Sequence, residues 1–260
     1  MVILLLIFGC LLGLVLGSFA NVLIHRLPRR ESIVHPGSRC PRCGTPIRWH
    51  QNVPLLSYLL LGGRCASCKA PISPRYPLVE LAMGVLFALC AWRWDLHVET
   101  LAAWLFILLC LPLAVIDLEH QLLPDRLTYP GILLGLALSP FLSWTSLPQS
   151  LMGAVLGAGL PALLIGAYAL FGIEAMGWGD VKFMAFVGAF LGWKGALLTL
   201  LLGALLGSLI GGAYLLATGR GRRTPLPFGT FLAAAALFSL FEAQGLWAWY
   251  GRTLQPGAGP

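Results

Sequence analysis

Two short acidic stretches stand out in a chain that is otherwise poor in charge. One is Ile116-Asp117-Leu118-Glu119-His120, followed at once by Leu122-Leu123-Pro124-Asp125; the other is Gly177-Trp178-Gly179-Asp180-Val181-Lys182. Each puts an aspartate at the edge of an apolar, helix-forming run. An ionisable group at membrane depth is costly, which marks it as a candidate functional site. Two carboxylates held together cannot easily both ionise, so they share a proton. The ionised member takes a proton from water and the protonated member donates to a carbonyl, which is the chemistry of peptide hydrolysis. Asp117 and Asp180 are therefore the candidate catalytic pair, expected to meet near one membrane face.

Helix ends add a bias between them. Asp180 opens a helix, where the positive dipole end and nearby Lys182 favour the anion, whereas Asp117 closes one. Asp180 is thus expected to be the more acidic member of a jointly titrating pair. The alternative reading is that each aspartate caps or flanks a helix, Asp180 as an N-terminal cap. Gly177 and Gly179 permit backbone conformations that other residues resist, and let an extended substrate approach. Asp125 reads as a helix-start residue. Glu119 and His120 read as solvated interfacial groups, and Glu174 as facing solvent. Glu80 is expected to line a cavity or pair with a basic residue.

A second constellation is Cys40-Pro41-Arg42-Cys43 with Cys65-Ala66-Ser67-Cys68. Two C-x-x-C pairs can supply four thiolates to a tetrahedral zinc ion, with no position left open for water. Such a zinc would be structural, folding a loop whose core is too small to fold alone. Two disulfides or four free thiols are the alternatives; a reducing cytosol disfavours disulfides. Cys10, Cys90 and Cys110 lie in apolar runs, where free cysteine acts as a small hydrophobe.

The elements that must position these groups follow from composition. Hydrophobic residues make up 58% of the chain and charged residues 10%, against about 25% charged in a soluble domain. The fold class is all-α polytopic membrane protein. Spans are expected at Val2–Val22, Pro77–Trp92, Thr100–Ile116, Tyr129–Leu142, Leu151–Phe171, Val181–Leu191, Gly195–Ala217 and Phe228–Trp247, about eight helices. Val181–Leu191 is short for a span; it reads as a half-buried helix or one that continues past a kink at Gly192. Gly203, Gly207 and Gly211 share one helix face, which suggests close packing. The expected division is a first helix over 1–24, a cysteine loop over 25–76, a membrane core over 77–250 and a flexible tail over 251–260.

The first apolar run has no basic residue before it, unlike a cleaved signal peptide. Its charges follow, at His25, Arg26, Arg29 and Arg30, and the loop continues with Arg39, Arg42, Arg48, Arg64, Lys69 and Arg75 against a single acid, Glu31. The positive-inside rule puts that loop in the cytosol and the N-terminus outside. Arg126, Lys182, Arg220, Arg222 and Arg223 fall inside on the same alternation, and Arg93, Lys194 and Arg252 outside. These basic residues account for the net charge of +7, so no nucleic-acid partner is expected; the bilayer is.

Taken together these motifs resemble the type IV prepilin peptidases, bacterial members of the G-x-G-D intramembrane aspartic proteases. Gly17-Ser18-Phe19-Ala20-Asn21-Val22 resembles the family's N-terminal signature. The cysteine pairs with Trp49, Asn52-Val53-Pro54 and Ser57 resemble its cytosolic loop, and Ser73-Pro74-Arg75-Tyr76-Pro77-Leu78-Val79-Glu80 the segment after it. Ile116-Asp117 through Asp125 and Met176 through Lys182 resemble its catalytic stretches. Glu119 stands where many members carry aspartate, a swap that keeps the charge. The resemblance carries Asp117 and Asp180 over as the catalytic pair. It implies removal of the basic leader of type IV prepilins and pseudopilins after a glycine, at the cytosolic face of the bacterial inner membrane. It further implies N-methylation of the new amine with S-adenosylmethionine, in the service of pili or type II secretion. No glycine-rich fingerprint names the residues that hold the methyl donor.

Overall fold

A computed structural model describes residues 2–172, 176–219 and 226–254. Glu174, Arg220, Arg222, Arg223 and the tail from Gln255 lie outside the described residues. The described residues form helices, with two isolated bridges and no strand. In chain order the α-helices are α1 (Val2–Arg26), α2 (Leu56–Leu60), α3 (Arg75–Trp94), α4 (Val98–His120), α5 (Asp125–Leu138), α6 (Leu147–Ala169), α7 (Trp178–Leu206), α8 (Gly212–Thr218) and α9 (Phe228–Leu254). The chain divides into two compact units, Met1–Pro112 and Leu113–Pro260. Helix α4 runs through the division.

By length and composition, six described helices can cross a membrane. The expected number of about eight differs at two places. Helix α5 has 14 residues, or about 21 Å of helix against a hydrocarbon core of about 30 Å. The two expected spans Val181–Leu191 and Gly195–Ala217 fall within one helical run, Trp178–Thr218, with the expected kink at Gly192 between them. That run would be about twice the core thickness if straight. It breaks at Gly192, whose φ of 69° and ψ of −179° are not helical. Thr145 Oγ1 lies 2.7 Å from where a Cβ on Gly192 would stand. Both the left-handed φ and the close hydroxyl therefore call for glycine there.

In the first unit, α1 packs on α3 through Gly9, Gly13 and Gly17, one helical turn apart. A Cβ at Gly13 would stand 2.6 Å from the Met83 carbonyl oxygen, and one at Gly17 2.7 Å from Glu80 Cα. The two backbones touch, as small residues allow inside membranes. The start of α4 joins them: Trp104 Nε1 donates to the Phe87 carbonyl at 2.9 Å, and the two rings stack at 5.2 Å.

In the second unit, α7 packs against α6 and α9. Gly153 meets Gly188, and Gly157 meets the Met184 carbonyl. Gly203, Gly207 and Gly211 lie against Leu232, Phe228 and Leu226 respectively, the close packing expected of that glycine face. The Thr199 hydroxyl donates to Ser239 Oγ at 3.1 Å, a buried polar link between α7 and α9. Each buried hydroxyl thereby keeps a partner, as a water-free interior requires.

The carboxylate pair and the cysteine cluster

Asp117 occupies the last turn of α4, and Gln121, with φ of 51°, ends that helix in the left-handed region. Its N–H still donates to the Asp117 carbonyl at 2.8 Å, a helix-terminating arrangement. Pro124 then prevents continuation and leads into α5. Asp180 occupies the first turn of α7, behind Gly177 as the capping residue. Both aspartates are buried, at 5% and 7% exposure. They lie within electrostatic reach, the charge of Asp117 acting on Asp180.

The donors converge on Asp117. The Thr230 N–H donates to Asp117 Oδ2 at 2.7 Å and the Thr230 hydroxyl reaches the same oxygen at 3.1 Å. That hydroxyl is also 3.0 Å from the Ala114 carbonyl. Thr230 stands in the first turn of α9, directly after Gly229. A Cβ at Gly229 would come within 2.8 Å of the Asp117 carboxyl carbon, so only glycine leaves the carboxylate its place. Neither residue was singled out from the sequence. The signal available was Pro227-Phe228-Gly229-Thr230, a proline, a glycine and a hydroxyl together at the mouth of an apolar run.

Leu123 connects the surroundings of both aspartates. It is 6% exposed, and lies against Gly179 beside Asp180 and against Gly229 beside Asp117. This closeness, rather than unusual backbone angles, is the use of Gly179. Gly177 has φ of −80°, open to any residue. The nearest atom to a Cβ there would be Asp180 Oδ2, at 3.8 Å. The approach to Asp180 is thus left uncrowded.

Other acidic groups take supporting positions. Lys182 does not face Asp180: its ammonium donates to Asp125 Oδ1 at 2.7 Å and lies 5.5 Å from the Tyr129 ring centre. Asp125 begins α5, as its place after Pro124 suggested. Glu119 and His120 are exposed and approach each other at 4.0 Å. Glu80 is buried, lines a cavity in the first unit and accepts a 2.8 Å bond from the Leu55 N–H.

The four cysteines of the loop meet. Their sulfurs all lie within 4.8 Å of one another, Cys40 and Cys68 at 3.9 Å. Sulfurs around a tetrahedral zinc at 2.3 Å would be about 3.8 Å apart, so the donor set fits a metal ion of that kind. No two of these cysteines are joined as a disulfide. The two halves are built alike. Cys40 N–H donates to Thr45 and Cys65 N–H to Ala70, while Gly44 and Lys69 donate back to Cys40 and Cys65. Gly44 and Lys69 hold the equivalent left-handed position, with φ of 71° and 57°. Side-chain and backbone hydrogen bonds with Thr45 hold the Cys43 thiol down, to about 6. At Cys68 a backbone hydrogen bond with Ala70 pulls the same way, but burial and the neighbouring cysteines outweigh it and push that thiol up, to about 11.

Apolar helices of membrane length, two buried aspartates at helix ends and a four-cysteine cluster define the class: a polytopic α-helical membrane protein with a carboxylate-pair site. Residues 11–94 match the Bacterial Peptidase A24 N-terminal domain and residues 104–212 match the Type IV leader peptidase family. The chain belongs to that family. A protein of Myxococcus xanthus named prepilin leader peptidase/N-methyltransferase is 46% identical over 220 residues, which cover 84% of this chain and 66% of the relative. One of that name from Pseudomonas aeruginosa is 42% identical over 257 residues, 88% of each chain. Another, from Stutzerimonas stutzeri, is 40% identical over 266 residues, 92% of this chain and 91% of the relative. No solved structure matches.

Proposed function

We propose that Asp117 and Asp180 hydrolyse the bond between the basic leader and the mature part of type IV prepilins and pseudopilins, after a glycine. The observation that supports this most is the meeting of two buried aspartates from separate stretches, with Thr230 donating to one of them. One carboxylate accepts a proton from water as the water oxygen attacks the scissile carbonyl carbon. The other gives its proton to the carbonyl oxygen. Collapse of the tetrahedral adduct breaks the C–N bond, and the leaving nitrogen takes the proton that water gave up. The two donors on Asp117 suit an ionised acceptor. They favour Asp117 as the base and Asp180 as the acid, the reverse of the bias from the helix ends.

The names of the relatives extend the reading to N-methylation of the new amine. S-adenosylmethionine would supply the methyl group; the amine nitrogen gains it and gives up a proton. In the cysteine cluster we place structural zinc. The positive charge of the basic loop supports a cytosolic cysteine cluster with the N-terminus outside, and the same alternation of spans supports cytosolic aspartates. There a basic leader is drawn to the anionic leaflet, and the process served is pilus assembly or type II secretion.

The test is mass spectrometry of a purified prepilin incubated with the reconstituted protein and S-adenosylmethionine. The expected product lacks its leader and carries one added methyl on its new N-terminus. A prepilin recovered intact contradicts the reading; a cleaved but unmethylated one removes the second activity alone.

A further inference from the structure

Between the end of α4 and the start of α5, in the second unit, the chain leaves the helical conformation. Gln121 ends α4 in the left-handed region, and Pro124, at φ of −63° and ψ of 128°, is extended. A residue before proline is held extended as well, so Leu122-Leu123-Pro124 is a short extended segment. Leu122 turns outward, 44% exposed, and Leu123 inward, 6% exposed, the alternation of a strand. The segment passes both aspartates. Leu123 Cβ is 3.2 Å from where a Cβ on Gly179 would stand, next to Asp180, and Leu123 Cδ1 is 3.0 Å from one on Gly229, which touches Asp117.

The main chain of this segment is open. Among the described residues, the N–H and carbonyl groups of Leu122 and Leu123 make no hydrogen bond. Their neighbours do: the Gln121 N–H donates to the Asp117 carbonyl at 2.8 Å, and the Pro124 carbonyl accepts from the Leu127 and Thr128 N–H groups at 3.0 and 3.2 Å. Buried main-chain groups in native proteins are nearly always paired. At membrane depth, irregular backbone persists where it is buried in protein or lines a cavity. Leu123 is therefore a buried residue whose donor and acceptor are both left for a partner. Gly177, ahead of Asp180, is extended too, at φ of −80° and ψ of 149°, so extended backbone stands beside each aspartate.

A peptide bond inside a helix hides its carbonyl in a hydrogen bond. A bond to be hydrolysed is presented extended, and its own main-chain groups then need partners. We propose that Leu122-Leu123 is a strand-like edge on which the substrate's main chain docks, one substrate residue beside the scissile bond exchanging N–H···O=C bonds with Leu123. The proposal rests on the hydrolysis reading above and says how that substrate is held. Two facing residues of an antiparallel pair exchange both bonds, so the donor and the acceptor of Leu123 are used together. Pairing of this kind takes its affinity from the main chain, which suits a site that accepts a class of prepilins and pseudopilins rather than one sequence.

The experiment uses full-length protein in lipid nanodiscs and a synthetic prepilin peptide spanning the leader and the first turns of the apolar helix. The amides on either side of the scissile bond are replaced one at a time by esters, each of which removes one N–H and keeps the shape. One position is expected to lower kcat/KM about tenfold, the effect of one lost hydrogen bond, and the others much less. In parallel, photo-leucine is placed at the same positions in turn, with the Asp180→Asn protein, and the crosslinked residue is read by mass spectrometry. Crosslinks to residues 122–124 that recur at every second position support the proposal. While the parent peptide is still cleaved, a flat ester scan overturns it, as do crosslinks that recur at every third or fourth position or that miss residues 122–124. A parent peptide that the wild-type protein leaves intact overturns the hydrolysis reading itself.

Discussion

Around Asp117 the decisive atoms belong to Thr230 and Gly229. Hydrogen bonds to a charged acceptor contribute about 1.5–3 kcal/mol, or roughly 10- to 100-fold in rate if the carboxylate is the base. Thr230→Val is expected to lower leader cleavage by about that factor, and Thr230→Ser, which keeps both donors, to restore most of it. Cleavage by Thr230→Val at the wild-type rate would show that the contact has no part in the reaction. The aspartates were legible in the sequence because a carboxylate in an apolar run has few other reasons to be there. Thr230 was not, since a lone threonine in such a run looks like any satisfied hydroxyl. Lys182 was read towards Asp180 from its spacing, yet it reaches Asp125 and Tyr129. Residues two apart on a helix do not face each other.

Between elements, backbone contact decides the packing. A Cβ at Gly13 would meet the Met83 carbonyl oxygen at 2.6 Å, whereas nothing lies within 4 Å of one at Gly166. Overpacking of this kind costs about 1–3 kcal/mol. Gly13→Val is expected to lower the melting temperature by several degrees, and Gly166→Ala to leave it unchanged; equal melting temperatures would mean that α1 and α3 are not in backbone contact. In the cysteine loop the proposed metal ion would take all four sulfurs. Cys40→Ser or Cys65→Ser is expected to lose the bound metal, read by elemental analysis of the purified protein, and stoichiometric metal in either variant would exclude a four-thiolate site. The pairs were legible from their spacing alone. The kink at Gly192 was legible too, and it is there. The number of spans was less so, because composition marks apolar runs without saying whether two of them join into one, as over Trp178–Thr218, or how α5 ends, in 14 residues and a 3-10 turn over Ser139–Phe141.

At the scale of the molecule, charge distribution sets the proposed orientation. Trp49, in the basic loop, and Leu96, between α3 and α4, are each 83% exposed. Cysteines placed at these positions are expected to differ towards a membrane-impermeant maleimide. Leu96→Cys should be labelled in intact spheroplasts, and Trp49→Cys only after permeabilisation; the opposite pattern would invert the topology. The class of the fold was legible from composition, because a chain with 10% charged residues cannot cover itself in water. The cavity in the first unit was legible only at Glu80, which was expected to line one or to pair with a basic residue. Its walls come from α1, the loop and the start of α3, and no local pattern announces a space formed by segments so far apart in sequence.

The central claim is that Asp117 and Asp180 act as one unit, and the most direct measurement is leader removal by Asp117→Asn and Asp180→Asn in reconstituted membranes. Each substitution keeps the shape and removes the shared proton. Both are expected to reduce cleavage by at least about a thousandfold, the double variant being no worse than either alone, with melting temperature and metal content preserved. Cleavage at the wild-type rate by either folded variant would contradict the account and return that aspartate to the role of a helix-end residue.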